Sequence, residues 1–151
     1  MTCRSSPRPL ELPVSDLEEI QRLVTVYSFL LDDQRYDALA ALFLEDAVMC
    51  FGATTLHGPE EIARGVAAIQ PTPPGKHLTG PAVVDLVDTG SAHAWADMFT
   101  LLPGPDGFIL GGTFRYHDRI RHTDAGWRFA ARYMTTPGSA PRLDAPPVPL
   151  R

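Results

Sequence analysis

Apolar residues fall at helical spacing early in the chain and at strand spacing late in it, and that change of period predicts the fold. In SDLEEIQRLVTVYSFLLDD, Leu17, Ile20, Val24, Tyr27 and Leu31 share one stripe at about 100° per residue. Ser15, followed three positions later by Glu18, makes a capping box that starts the helix there. The pattern predicts a second helix over Tyr36 to Leu44 and a third over Glu60 to Ile69, with Pro59 suited to the first helical position and PTPPG ending it. Asp33 reads as an N-cap for the second of these.

From there the period shortens. AVMCF (Ala47 to Phe51) and TTLHG read as a short hairpin around Gly52, and AVVDLVD (Ala82 to Asp88) as a strand closed by DTGS. AHAWADMFTLL and FILGGTFRYHDRIRH read as two long strands joined by PGPDG, and TDAG leads to a last strand, WRFAARYM. Helices first and a meander of antiparallel strands last means α+β, with the helices on one face of a curved sheet. Gly111 and Gly112 inside a strand predict the bend or bulge that such curvature requires. Residues 1–14 and the five prolines within residues 137–151 read as flexible or draped tails, which leaves one domain over 15–136.

Composition narrows the function classes. A hydrophobic fraction of 44% and a charged fraction of 21% are those of a globular protein. A formal net charge of −5 with no basic face argues against nucleic acid. No apolar run approaches the roughly 18 residues of a membrane helix, and the opening segment lacks the apolar core of a signal peptide. The expectation is a cytoplasmic protein whose partner is a small molecule or another protein, with no membrane association. Cys3 and Cys50, the two cysteines, read as free thiols. The histidines other than His77 (His57, His93, His117, His122) lack ligand spacing on a common element, so no metal site is expected, and no GxGxxG, P-loop or GxSxG is present.

Three pieces of sequence carry a resemblance to a known family. They are the Y-x4-D-x3-(W/Y)-D-x-L arrangement at Tyr27, Asp32, Tyr36, Asp37 and Leu39, the histidine of GKHLTG before the central strand, and the Y-x-D with GWR near the end. In this order, over roughly Asp16 to Met134, the chain resembles the SnoaL-like branch of the nuclear-transport-factor-2-like superfamily, the cone-shaped α+β barrels. That superfamily includes polyketide cyclases, scytalone dehydratase, ketosteroid isomerase and the small subunits of ring-hydroxylating dioxygenases. The resemblance implies catalysis without a cofactor and a homodimer through the sheet. It says less about the reaction, because one fold hosts unrelated chemistries.

Candidate residues follow from geometry and resemblance together. On the first helix Asp32 flanks the apolar stripe, whereas Asp33 points away from it, and the family's dehydratase-type aspartate matches Asp32. By itself His77 reads as a solvated surface residue; the resemblance makes it the catalytic histidine. An imidazole can take and return a proton near neutral pH, and a carboxylate within reach would orient it. Strand alternation sets His93, Trp95, Asp97 and Phe99 on one face and Ala92, Ala94, Ala96 and Met98 on the other. Asp97 falls where scytalone dehydratase carries its second histidine, and that enzyme's two water-holding tyrosines match Leu31 and Phe51, so its particular site is not reproduced. Phe114, Tyr116 and Asp118 share a face of the next strand, and the resemblance favours that face as pocket lining.

The expected site has Asp32 and His77 catalytic, Tyr116 and Asp97 binding polar atoms, and walls from Tyr27, Leu31, Phe43, Phe51, Trp95, Phe99 and Phe114. Trp127 is expected in the core, and Arg132 is expected to pair with an acidic side chain. The expected activity is a lyase, cyclase or isomerase acting on an apolar, carbonyl-bearing metabolite of polyketide type. A non-catalytic binding or assembly module, or an epoxide hydrolase built on Asp32, Asp97 and Arg115, are the alternatives. A catalytic protein should bury Asp32 and His77 together at a cavity that a scaffold would fill.

Overall fold

A computed structural model describes residues 14–138. The two segments read as tails therefore lie outside the described residues, apart from Val14, Pro137 and Gly138. Helix α1 runs Asp16–Asp32, α2 Tyr36–Ala40 and α3 Gly58–Ala68; the strands are β1 Phe43–Phe51, β2 Thr54–His57, β3 Lys76–Thr79, β4 Val83–Leu86, β5 Ser91–Gly104, β6 Gly107–Thr123 and β7 Gly126–Thr135. The capping box forms as expected: the Ser15 side chain accepts from the Glu18 amide, and the Glu18 carboxylate accepts from the Ser15 amide.

One seven-stranded sheet runs in the order β2-β1-β7-β6-β5-β3, with β4 also paired to β5, beside β3. All pairs are antiparallel except β1 with β7. The α+β architecture thus matches the order of periods in the sequence. The helices cover one face of the curved sheet. Ile20, Val24, Tyr27 and Leu31 of α1 meet Ala92, Ala94, Ala96 and Met98 of β5, Tyr116 and Ile120 of β6 and Phe129 of β7 in a single core. The three alanines make the strand surface shallow where the helix crosses it. Apolar burial at about 25 cal/mol per Å² drives this packing.

The second predicted helix is shorter than expected. It stops at Ala40, because Phe43 and Leu44 are drawn into the sheet: Phe43 pairs with Phe129 in β7, whose amide donates to the Leu42 carbonyl at 2.9 Å. Asp33 does not cap this helix. It is the C-cap of α1, its amide donating back to Phe29, and Arg35 occupies the N-cap position of α2 without a side-chain bond. The glycine pair produces the expected irregularity: the β5–β6 register passes from Thr100↔Gly112 to Leu101↔Leu110, leaving Gly111 as the extra residue.

Candidate functional site

The end of α1 and the short strand β3 bring a carboxylate and an imidazole together. Asp32 Oδ1 lies 2.7 Å from His77 Nδ1, and both Asp32 oxygens accept from the His77 amide, at 3.1 and 3.2 Å. His77 precedes β4 and β5, as expected, and itself sits within a short strand, β3, that the pattern does not predict, opposite Thr100 of β5. Its amide points away from β5 toward α1, so Asp32 satisfies a strand-edge donor as well as the ring. Lys76 Nζ reaches the other carboxylate oxygen at 2.8 Å. The side chains of Asp32 and His77 are 4% and 12% exposed, whereas that of Lys76 is half exposed at 47%. One turn back along α1, Ser28 Oγ and Thr79 Oγ1 are 2.6 Å apart, a second polar rung between the same two elements.

An ionised Asp32 accepts the Nδ1 proton, which assigns the tautomer in which Nε2 holds the free lone pair. Nε2 has no hydrogen-bond partner among the described residues, and His77 lines a cavity of about 250 Å³. Leu31, Phe51, Leu101, Leu102 and Phe114 supply apolar wall, with Tyr27 and Tyr116 beside them and the thioethers of Met49, Met98 and Met134 adding adaptable surface. Burial pushes Tyr27 up to about 12 and raises Tyr116 further, so both phenols stay protonated as donors. The Tyr27 hydroxyl contacts Met49 Sδ at 3.8 Å; that of Tyr116 has no partner among the described residues.

Below the cavity the expected partner of Arg132 is Asp118. The two are fully buried and joined by two bonds, Nε to Oδ1 at 2.8 Å and Nη2 to Oδ2 at 2.7 Å. The guanidinium lies 3.9 Å from the Tyr116 ring centroid, 4.2 Å from Phe129 and 4.3 Å from Tyr27, a cation stacked among three aromatic faces. This cluster fixes both phenols from beneath. Trp127 is in the core as expected, its indole donating to Asp16 at 3.0 Å.

Four expected wall or binding residues lie elsewhere. Asp97 and Phe99 are exposed on the far side of the sheet, where Asp97 takes two hydrogen bonds from Arg115. They border a trough of about 620 Å³ together with Leu78, Thr113 and His117. Trp95 shares their face and is buried at 4%, outside the helix-covered core. The sequence reading took the bulky face of β5 as the pocket side, but α1 packs on the alanine face. Phe43 belongs to the core, 5.1 Å from the Phe129 ring, and does not line the cavity. Asp32, Asp97 and Arg115 are consequently not assembled into one site. The reading missed Thr100 and Gln70, which line the cavity, and the Lys76 bond to Asp32. Thr100 carries no signal of its own in the sequence, because its place opposite His77 depends on the pairing of β3 with β5.

A family model described as the SnoaL-like domain matches residues 13–133. The chain belongs to the SnoaL-like family. No curated protein matches this SnoaL-like domain. Among solved structures it is similar to a nuclear-transport-factor-2-like protein with a cystatin-like fold from Novosphingobium aromaticivorans, with 27% identity, 83% of this chain and 84% of that one covered, and a TM-score of 0.76. It also shares its fold with a protein assigned as a scytalone dehydratase from the same organism (18% identity, 83% and 95% covered, TM-score 0.67) and with ActVI-ORFA of Streptomyces coelicolor (17%, 80% and 96%, 0.71). Among the described residues of this SnoaL-like domain, no helix is long and apolar enough to cross a membrane, and no three His, Cys, Asp or Glu side chains group as metal ligands.

Proposed function

We propose that this SnoaL-like domain is a cofactor-independent lyase, cyclase or isomerase that works by general acid–base catalysis on a small, apolar, carbonyl-bearing ring compound of polyketide type. The observation that carries the reading is the buried Asp32–His77 pair at the wall of an apolar cavity that side chains leave open. The fold shared with the protein assigned as a scytalone dehydratase supports the same class.

In this mechanism His77 Nε2 takes a proton from the carbon beside the substrate carbonyl. The Tyr116 hydroxyl donates to the oxygen on which negative charge develops, and Asp32 offsets the positive charge the ring gains. The protonated ring then delivers its proton, either to a leaving hydroxyl, which departs as water, or to another carbon, which completes an isomerisation. At about 250 Å³ the cavity is smaller than the usual 300–1,000 Å³ of drug-sized sites, which favours compact substrates. We place the activity in the cytoplasm and read the protein as a homodimer. Support for the dimer comes from exposed Leu78, Val83 and Phe99 and from an Asp97–Arg115 pair that a two-fold axis could exchange between copies.

The test uses 2-tetralone, a fused-ring ketone with exchangeable protons beside its carbonyl. In D2O the protein should catalyse replacement of those protons by deuterium, followed by NMR. His77→Ala and His77→Gln should slow the exchange by roughly 10²- to 10⁴-fold while circular dichroism stays that of the parent. Unchanged exchange in both variants would sink the reading.

A further inference from the structure

Thr100 stands directly across from His77. The two are Cα partners in the β3–β5 ladder and both line the cavity, so their Cβ atoms lie about 5 Å apart on the same face. The Thr100 hydroxyl has no hydrogen-bond partner among the described residues, and Leu101, Leu102, Met98 and Phe114 line the same cavity. Thr100 is half-buried, so its hydroxyl is open to the cavity, where an occupant that displaces solvent must replace the hydrogen bond it makes there.

The backbone keeps room around that hydroxyl. Gly111, the bulge residue of β6, also lines the cavity, and a Cβ there would sit 2.6 Å from Thr100 Oγ1 and 2.6 Å from Leu102 Cγ. Any other residue would close the space into which the hydroxyl opens. The bulge, the threonine and the imidazole therefore form a polar notch in a largely apolar chamber that Gln70 and Tyr116 also line, with the candidate base on one side and a neutral donor–acceptor on the other.

We propose that Thr100 is a specificity-determining residue: its hydroxyl anchors the hydroxyl or carbonyl oxygen of an apolar ring next to His77, so the cavity selects oxygenated rings over bare hydrocarbons. This rests on the acid–base reading of the same cavity for what the anchored oxygen then undergoes, while the binding itself is measured without turnover.

The experiment compares 2-naphthol with naphthalene, which share a ring system and differ by one hydroxyl. Protein labelled with 13C at the methionine methyls reports occupancy directly, because Met49, Met98 and Met134 all line the cavity. Wild type should bind 2-naphthol roughly two- to ten-fold more tightly than naphthalene, the worth of one net neutral hydrogen bond. Thr100→Val, close to isosteric, should bring the two probes to parity, and Thr100→Ser should keep the preference. The proposal is overturned by a preference that survives in Thr100→Val, by no preference in wild type, or by probes that leave the three methyls unmoved. A preference lost in His77→Gln but kept in Thr100→Val would move the anchor to the imidazole and overturn it as well. If Thr100→Val behaves as stated while His77→Ala leaves deuterium exchange unchanged, the anchor stands and the acid–base reading falls; the opposite pair of results removes the anchor alone.

Discussion

A single carboxylate at the end of α1 holds three groups: the His77 ring, the His77 amide and the Lys76 ammonium. Its neighbour Asp33 is exposed and holds none of them. That difference was legible in the sequence, since one residue is 100° of helix and only Asp32 flanks the apolar stripe. Which of the three partners it would take was not legible, because β3 is too short to announce itself by periodicity. The arrangement separates two substitutions. Asp32→Asn keeps an acceptor for the amide but removes the charge that offsets a protonated ring, so deuterium exchange should drop by roughly 10²-fold or more with little loss of stability. Asp32→Ala leaves the His77 amide and ring without their partner and should cost about 1–3 kcal/mol besides, read as a fall in denaturant midpoint that the asparagine variant does not share.

The long elements were the most readable ones. The pattern that predicted α1, β5, β6 and β7 depends on many residues repeating one period, and each of these elements forms where expected. Errors arose where tertiary pairing outweighed local pattern: Phe43 and Leu44 left a helical run to join β1, where Phe43 pairs with β7, and the alternation of β5 gave two faces without saying which one a helix would cover. Small side chains mark that face, because a helix can approach alanines more closely than a tryptophan and a phenylalanine. Gly111 was anticipated as a bend, but its place beside the cavity needed the register of both strands. Gly111→Ala should therefore do two things. Forcing a methyl to within 2.6 Å of Leu102 and Thr100 should destabilise the protein by about 1–3 kcal/mol, as overpacking does, and should weaken binding of 2-naphthol at the methionine methyls.

At the scale of the whole molecule, the sheet separates two environments. The covered face holds the Asp32–His77 pair and the Arg132 cluster, while the other carries the exposed Asp97–Arg115 pair and, beside it, a second buried histidine. His117 is 3% exposed and its Nε2 lies 3.2 Å from Thr135 Oγ1, with Nδ1 unpaired. Burial, reinforced by the nearby Arg115 charge, lowers its pKa from the ordinary value near 6.5, against the weaker pull of Asp118 and Asp97. In the folded protein this ring is therefore neutral at pH values where the unfolded chain already binds a proton. Wherever the unfolded state holds more protons, stability rises with pH. Stability should thus be fullest above about pH 7 and should decline as pH falls through 6.5 toward the lower folded value. The exposed carboxylates held below their ordinary range, Asp46 and Asp97 beside arginines, Glu18 at its cap and Asp88 at its turn, contribute in the opposite part of the scale, below about pH 4, so the two windows do not overlap. Thermal melts of wild type and His117→Gln at half-unit steps from pH 8 to pH 5 isolate the effect. The wild-type melting temperature should fall between pH 7 and pH 5, and the glutamine variant, which cannot take up a proton there, should be flatter over the same interval; parallel curves would show that the buried ring carries no part of the acid sensitivity.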